Sequence, residues 1–290
     1  MRLVQLNVHP LKSGAIRPLD SAMVHRRGLE DDRSWMLVGP DDRLVSAREA
    51  HGLFDIVADT PATDRTVSAA LRLRARGHPD LLVDRPAGPP VPVRLFSLDL
   101  QGTRAGDDAD AWLRSVLGVD VRLVWCHDPA RRRLQPGFSA EGDHTAFADA
   151  FPVTVASLAS LRQLNDWIVE RALEIGEEPP APLPIERFRA NLVVDGDEPF
   201  AEDRWHTVSV GGVRFRVAKP VDRCVMTSID LETLTTAKEP IRTLARHRLI
   251  GGKPMFAAHL LPLSTGKVGV GDEVTASGGL SPAPPGARGR

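Results

Sequence analysis

The chain has 290 residues and a formal net charge of -1, so no global field draws it to nucleic acid or to an anionic membrane surface. Hydrophobic residues make up 42% of it, enough to build real cores, and its two cysteines, Cys126 and Cys224, are too few for a disulfide scaffold. Neither cysteine sits in a CxxC or Cys/His zinc pattern, no run reaches the roughly 20 apolar residues of a membrane span, and the first residues alternate like a strand, not a signal peptide. A reducing, cytoplasmic setting is the expectation.

In chain order, short alternating segments come first: 2–8, 34–38, 53–58, 67–74 and 91–95, each bounded by Gly, Pro or Asp as antiparallel strands are. At 107–117 the period changes, because Ala109, Trp112, Leu113, Val116 and Leu117 share one helical face and Gly118 offers a stop. A strand is expected at 121–125. From Cys126 to Asp149 the chain is polar and charged, including Arg131, Arg132 and Arg133, and the domain boundary is placed at its start, between 125 and 126. The second half opens with a strand at 152–156 and a helix at 157–172 capped by Ser157, followed by a Pro- and Glu-rich linker at 174–184. Strands are expected at 189–194, 207–210 and 213–217, the last two joined by Gly211-Gly212 in a tight hairpin. A further pair, 268–270 with 273–275, is expected around Gly271-Asp272, and 277–290 reads as a disordered tail.

Several chemistries are unsupported. There is no GxGxxG after a strand, no P-loop, no HExxH and no GxSxG elbow. The glycine-rich GKVGVGD segment at 266–272 matches no phosphate-binding spacing and reads as a turn between strands. His25, His51, His127 and His144 each lack a neighbour at metal-ligand spacing.

One segment stands out. In KPVDRCVMTSID, 219–230, Cys224 follows Lys219 and Arg223 at what reads as the start of a strand, and nearby cations favour the thiolate. The alternative is a buried cysteine acting as a small hydrophobe, which is the reading adopted for Cys126 in VWCHD.

Four stretches together resemble the MOSC-domain family, which includes amidoxime-reducing proteins and bacterial N-hydroxy-compound reductases. They are VHPLKSG at 8–14 with GLEDDRSWMLV at 28–38 and LVSARE at 44–49; FADAFPVTVASLASLRQLN at 147–165; RFRANLVVDGDEPFAEDRW at 187–205; and DRCVMTSID at 222–230 with EPIRTLARHR at 239–248 and KVGVGDEV at 267–274. The resemblance implies an α+β, mainly β fold in which a β-rich domain, 1–125, packs on a MOSC β-barrel, 126–276. It implies a molybdenum cofactor whose metal is bound by Cys224, and a cofactor contact set of Lys12, Ser13, Arg48, Arg189, Asn191 and Arg223. Lys and Arg suit a phosphate, and Asn offers both donor and acceptor to a pterin edge. Asp222, beside the metal ligand, is a candidate for proton delivery or simply a solvated turn aspartate. Lys12 and Arg48 could instead be surface charges, Arg189 could pair with Asp195 or Glu186, and Arg223 with Asp222 or Asp230.

The implied activity is reduction of N-hydroxylated compounds. Two rivals are sulfur transfer through a Cys224 persulfide and non-catalytic binding of the cofactor. Two cysteines cannot ligate an iron-sulfur cluster, so a separate electron donor is expected, whether ferredoxin, flavoprotein or small haem protein; arginines 131–133 read as a plain solvated loop, with a basic patch for an acidic partner as the alternative. The sequence departs from the family at KPMFAAHL, 253–260, where Ala257 occupies a position usually held by glycine.

Overall fold

The computed structural model describes residues 1–278, which are mainly β with three α-helices. In the first half the strands are β1 (Leu3–Val8), β2 (Arg17–Pro18), β3 (Ser21–His25), β4 (Gly28–Leu29), β5 (Trp35–Val38), β6 (Leu44–Val45), β7 (Val57–Asp59) and β8 (Leu71–Arg74). They continue with β9 (Leu81–Val83), β10 (Val91–Leu95), β11 (Leu98–Arg104), helix α1 (Asp107–Leu117) and β12 (Arg122–Trp125). The second half adds β13 (Val153–Ser157), α2 (Leu158–Glu174), β14 (Leu192–Val194), β15 (Trp205–Val210) and β16 (Val213–Asp222). It closes with α3 (Ile241–His247), β17 (Leu249–Ile250), β18 (Lys253–Pro262), β19 (Gly266–Gly269) and β20 (Val274–Gly278). Among the described residues no helix is long and apolar enough to cross a membrane.

Local chemistry explains the best-defined elements. Asp107, Asp108 and Asp110 place negative charge in the first turn of α1, and Gly118, left-handed at φ 67°, ends it by donating its N–H to the Arg114 carbonyl at 2.9 Å. Ser157 caps α2, its hydroxyl oxygen accepting the Ala159 N–H at 3.1 Å. The β15–β16 hairpin turns on Gly211 and Gly212, at φ 53° and 87°, and buries Val208, Val210, Val213 and Phe215 on one face.

The largest sheet has nine strands in the order β2-β1-β14-β13-β18-β16-β15-β20, with β17 attached to β18. β13 and β14 are parallel, and α2 supplies the crossover that a parallel pair needs. Strand β1 reaches across the chain to pair antiparallel with β14, Leu6 opposite Leu192, while β3 lies between β4 and β19. Leu3, Leu6 and Val8 accordingly share a core with Val155, Leu192, Phe215 and Leu260. A second core gathers Leu11, Trp35, Leu37, Leu53, Leu71, Leu113 and Leu123 beneath the sheet β10-β11-β12-β5-β6 and the small sheet β7-β8-β9.

Several expectations change. β19 and β20 do not pair with each other; β19 joins β3 and β20 joins β15, so Gly271-Asp272 connects strands of two sheets. The strand expected from Val67 begins at Leu71. Ser277 and Gly278 belong to β20, opposite Thr207 and Trp205, and the rest of the expected tail, 279–290, lies outside the described residues. Arginines 131–133 do not form one basic patch: Arg132 is 4% exposed and donates inward to the Ala146 and Asp149 carbonyls.

Candidate active site

A cleft of about 360 Å³ opens between the turns of the first half and those of the second. Lys12 and Ser13 enter it from the loop after β1, where Lys12 N–H donates to the Trp35 carbonyl at 2.8 Å and Ser13 takes a left-handed φ of 65°. Arg48 comes from the turn after β6. Arg189 follows a short 3-10 turn, itself left-handed at φ 49°. Asp222, Arg223 and Cys224 lie where β16 ends, so the cysteine follows a long strand and precedes the 3-10 turn Val225–Ser228, a correction to its expected place at a strand start.

The sulfur of Cys224 accepts a hydrogen bond from Arg48 Nη2 at 3.1 Å, a contact between residues 176 positions apart. Its hydrogen-bonded cation is thus Arg48 and not Lys219, which instead donates to Gln135 Oε1 at 3.0 Å over the Phe138 ring. Cys126 behaves as expected of a core cysteine: it is 5% exposed, and burial pushes its thiol up to about 11.

Of the cleft cations Lys12 is buried, and the part-exposed Arg189 and Arg223 each carry one buried nitrogen without a partner. Arg189 donates through Nη2 to the Gly14 carbonyl at 2.7 Å, and its Nη1 has no partner. Arg223 donates to the Phe256 and Phe188 carbonyls at 2.8 and 3.0 Å, leaving Nη2 without one. Neither makes the ion pair with a neighbouring carboxylate that the sequence left open. Burial pulls Lys12 down to about 8, although the attraction of Asp149, which accepts its ammonium hydrogen bond, opposes that. Buried N–H groups without acceptors cost stability.

Two expected site residues sit differently. Asn191 does not line the cleft: fully buried, its Oδ1 accepts from Thr154 N–H at 3.1 Å and Arg33 Nη1 at 3.2 Å, and its Nδ2 donates to the Asn7 carbonyl at 3.1 Å. Its hydrogen bond supports Arg33, which does line the cleft. Asp222 does line the cleft, where burial pushes its carboxyl up but the hydrogen bond from Lys253, at 2.9 Å, together with the charges of Lys253 and Lys219 and a backbone hydrogen bond, outweighs it and holds the group below the usual carboxylate range. That suits an ionised acceptor better than a store of protons at neutral pH.

Sequence reasoning missed Arg33, Phe96, Asp149 and His259, all in the cleft wall. Arg33 and Phe96 are left-handed turn residues, at φ 50° and 55°, a conformation that no composition or period signals. Among the described residues no group of three or more His, Cys, Asp or Glu is disposed to hold a bare metal ion. The donor set is a single part-exposed sulfur beside the cationic side chains Lys12, Arg33, Arg48, Arg189 and Arg223. That combination fits a ligand that is anionic and brings a soft, thiophilic metal with ligands of its own.

Fold and cleft together define a mainly β protein of two interlaced halves with a thiol- and arginine-lined site between them. Residues 1–120 match the MOSC N-terminal beta barrel domain and residues 142–275 the MOSC domain. The chain is 30% identical over 295 residues to mitochondrial amidoxime-reducing component 1 of Mus musculus, covering 94% of this chain and 81% of that one. It is 29% identical to the Danio rerio protein of the same name, with 94% and 83% covered. It is also 28% identical to the molybdenum cofactor sulfurase of Danio rerio, over 89% of this chain and 31% of that longer protein. The chain belongs to the MOSC-domain family.

Proposed function

We propose that this protein reduces N-hydroxylated compounds such as amidoximes and hydroxylamines, using a molybdenum cofactor bound in the cleft with Cys224 as the thiolate ligand. The observation that carries the reading is the Cys224 sulfur held against Arg48 in a cleft walled by Lys12, Arg33, Arg189 and Arg223. The names of the amidoxime-reducing relatives support the substrate class, and the sulfurase relative supports the cofactor. When bound, the cofactor supplies the two-electron chemistry that cleaves an N–O bond. The chain's part is to hold and orient. Lys12, Ser13, Arg189 and Arg223 receive the anionic and polar portions of the cofactor, and Arg48 donates to the sulfur. Asn191 and Asp32 fix Arg33, which Asp32 accepts in an ion pair.

Electrons enter from a donor outside these 290 residues, a ferredoxin, flavoprotein or small haem protein, since two cysteines cannot ligate an iron-sulfur cluster. The test is metal and pterin analysis of the purified protein, with benzamidoxime reduction driven by reduced viologen. Cys224→Ser is expected to abolish turnover with the fold intact, and Cys126→Ser to leave it nearly unchanged. A fully molybdenum-loaded Cys224→Ser protein that still turns over overturns the ligand assignment, and a metal-free protein that passes sulfur from Cys224 replaces the reductase reading with the persulfide one.

A further inference from the structure

Beside the cleft lies a second cavity of about 160 Å³, whose wall includes Arg43, Arg94 and Glu49 and which shares Ser46, Arg48 and Phe96 with the cleft itself. The two compartments adjoin across the Arg48 guanidinium and the Phe96 ring, which lie 5.0 Å apart in a cation–π contact. Phe96 stands at the tip of the β10–β11 hairpin, 43% exposed and left-handed at φ 55°. The two-residue turn between Leu95 and Leu98 accounts for that φ and sets the ring beside both compartments.

The charge balance of the second cavity is uneven. Arg43 and Arg94 are brought side by side by an isolated parallel bridge, with Arg94 N–H donating to the Asp42 carbonyl at 2.8 Å. Like charges set opposite one another on neighbouring strands cost stability. Their nearest carboxylates do little to relieve this, because Asp41 is 3.5 Å from Arg43 and Asp99 is 3.6 Å from Arg94, both on exposed side chains. Glu49, the acidic residue of the wall, is already committed: its Oε2 accepts from Ser46 N–H at 2.9 Å and Ser46 Oγ at 2.7 Å. Three guanidinium groups therefore line the cavity with one engaged carboxylate, and Asp41 and Asp99 meet two of them only at long range on exposed side chains.

We propose that this second cavity is a carboxylate-binding subsite for the substrate. The inference rests on the reductase reading. The N-hydroxylated group faces Cys224 in the main cleft, a planar body lies along Phe96, and a carboxylate at its far end enters between Arg43 and Arg94. Planar N-hydroxylated compounds that carry a carboxylate are then preferred over neutral ones of the same shape.

The experiment compares benzamidoxime with 4-carboxybenzamidoxime as substrates of the molybdenum-loaded protein and of its Arg43→Gln and Arg94→Gln variants, with reduced viologen as donor. Binding of the matching amidines, benzamidine and 4-carboxybenzamidine, is followed in parallel by ligand-observed NMR, which needs no turnover. In each variant the KM of the carboxylate substrate should rise about tenfold, with benzamidoxime KM and kcat held within about twofold. The amidine carboxylate should lose binding to the same extent, and the preference should shrink as salt is raised. Equal shifts for both substrates, or none, overturn the subsite. Arg43 is 60% exposed, so its replacement tests the idea without threatening the fold. Arginine-dependent binding of 4-carboxybenzamidine with no turnover of either substrate would remove the reductase reading and leave the subsite standing. Turnover of both substrates without charge discrimination would do the reverse.

Discussion

Lys12 is 5% exposed, held between the Phe147 carbonyl, to which its ammonium donates at 2.8 Å, and the carboxylate of Asp149. Burial brings it to about 8, so it is charged at neutral pH but loses its proton within the working range of most buffers. An anion bound beside it favours the ammonium form, and above pH about 8 binding must take up a proton. Affinity for the cofactor, or for inorganic phosphate as a stand-in, should be level below that pH and fall by up to about tenfold per unit above it. Equilibrium dialysis at pH 7, 8 and 9 checks this; a flat profile through pH 9 would show that Lys12 does not face the anion. Residues such as Lys12, Arg48, Arg189 and Cys224 were legible in the sequence because they stand within stretches whose order resembles a family. Nothing local marked Arg33, Phe96 or Asp149, which reach the cleft through turn conformations and contacts across the chain.

At the scale of elements, the alanine at 257, where the family resemblance leads one to expect glycine, has a clear physical consequence. Ala257 is fully buried in β18 at φ 72°, beside the place where the register with β16 slips between Pro220 and Asp222. The left-handed conformation costs an L-residue roughly 1–2 kcal/mol. Ala257→Gly relieves that while losing a buried methyl worth about 0.8 kcal/mol and loosening the unfolded chain, so it should be close to neutral by denaturant unfolding. Ala257→Val, β-branched at a positive φ in a filled core, should cost at least about 2 kcal/mol; a valine variant as stable as the parent would refute the bulge conformation. Sequence pattern gave the β15–β16 hairpin correctly because its partners are neighbours. It misplaced β19 and β20 because Gly271-Asp272 looks like a hairpin turn while the true partners, β3 and β15, lie far away in sequence. Periodicity shows which face of a strand is apolar; it is silent on which distant strand completes the sheet.

The whole molecule is stitched together by its first strands. β1 lies within the nine-stranded sheet and β3 pairs with β19, so the chain's first 29 residues share hydrogen bonds and core with its last third. Unfolding should therefore be one cooperative transition. Trp35, Trp112 and Trp125 report on one half and Trp167 and Trp205 on the other. Fluorescence of single-tryptophan variants from each half should give coincident midpoints with circular dichroism, and two separated midpoints would show halves that unfold independently. The same stitching bears on how the protein is made. Leu6 of β1 leaves the ribosome well before its partner Leu192, which is synthesised 186 positions later. At 5–20 residues per second that is an interval of roughly 10–40 s. Through it β1 can pair with β2 alone, its other edge open, and is exposed for that interval to other nascent chains on the same messenger.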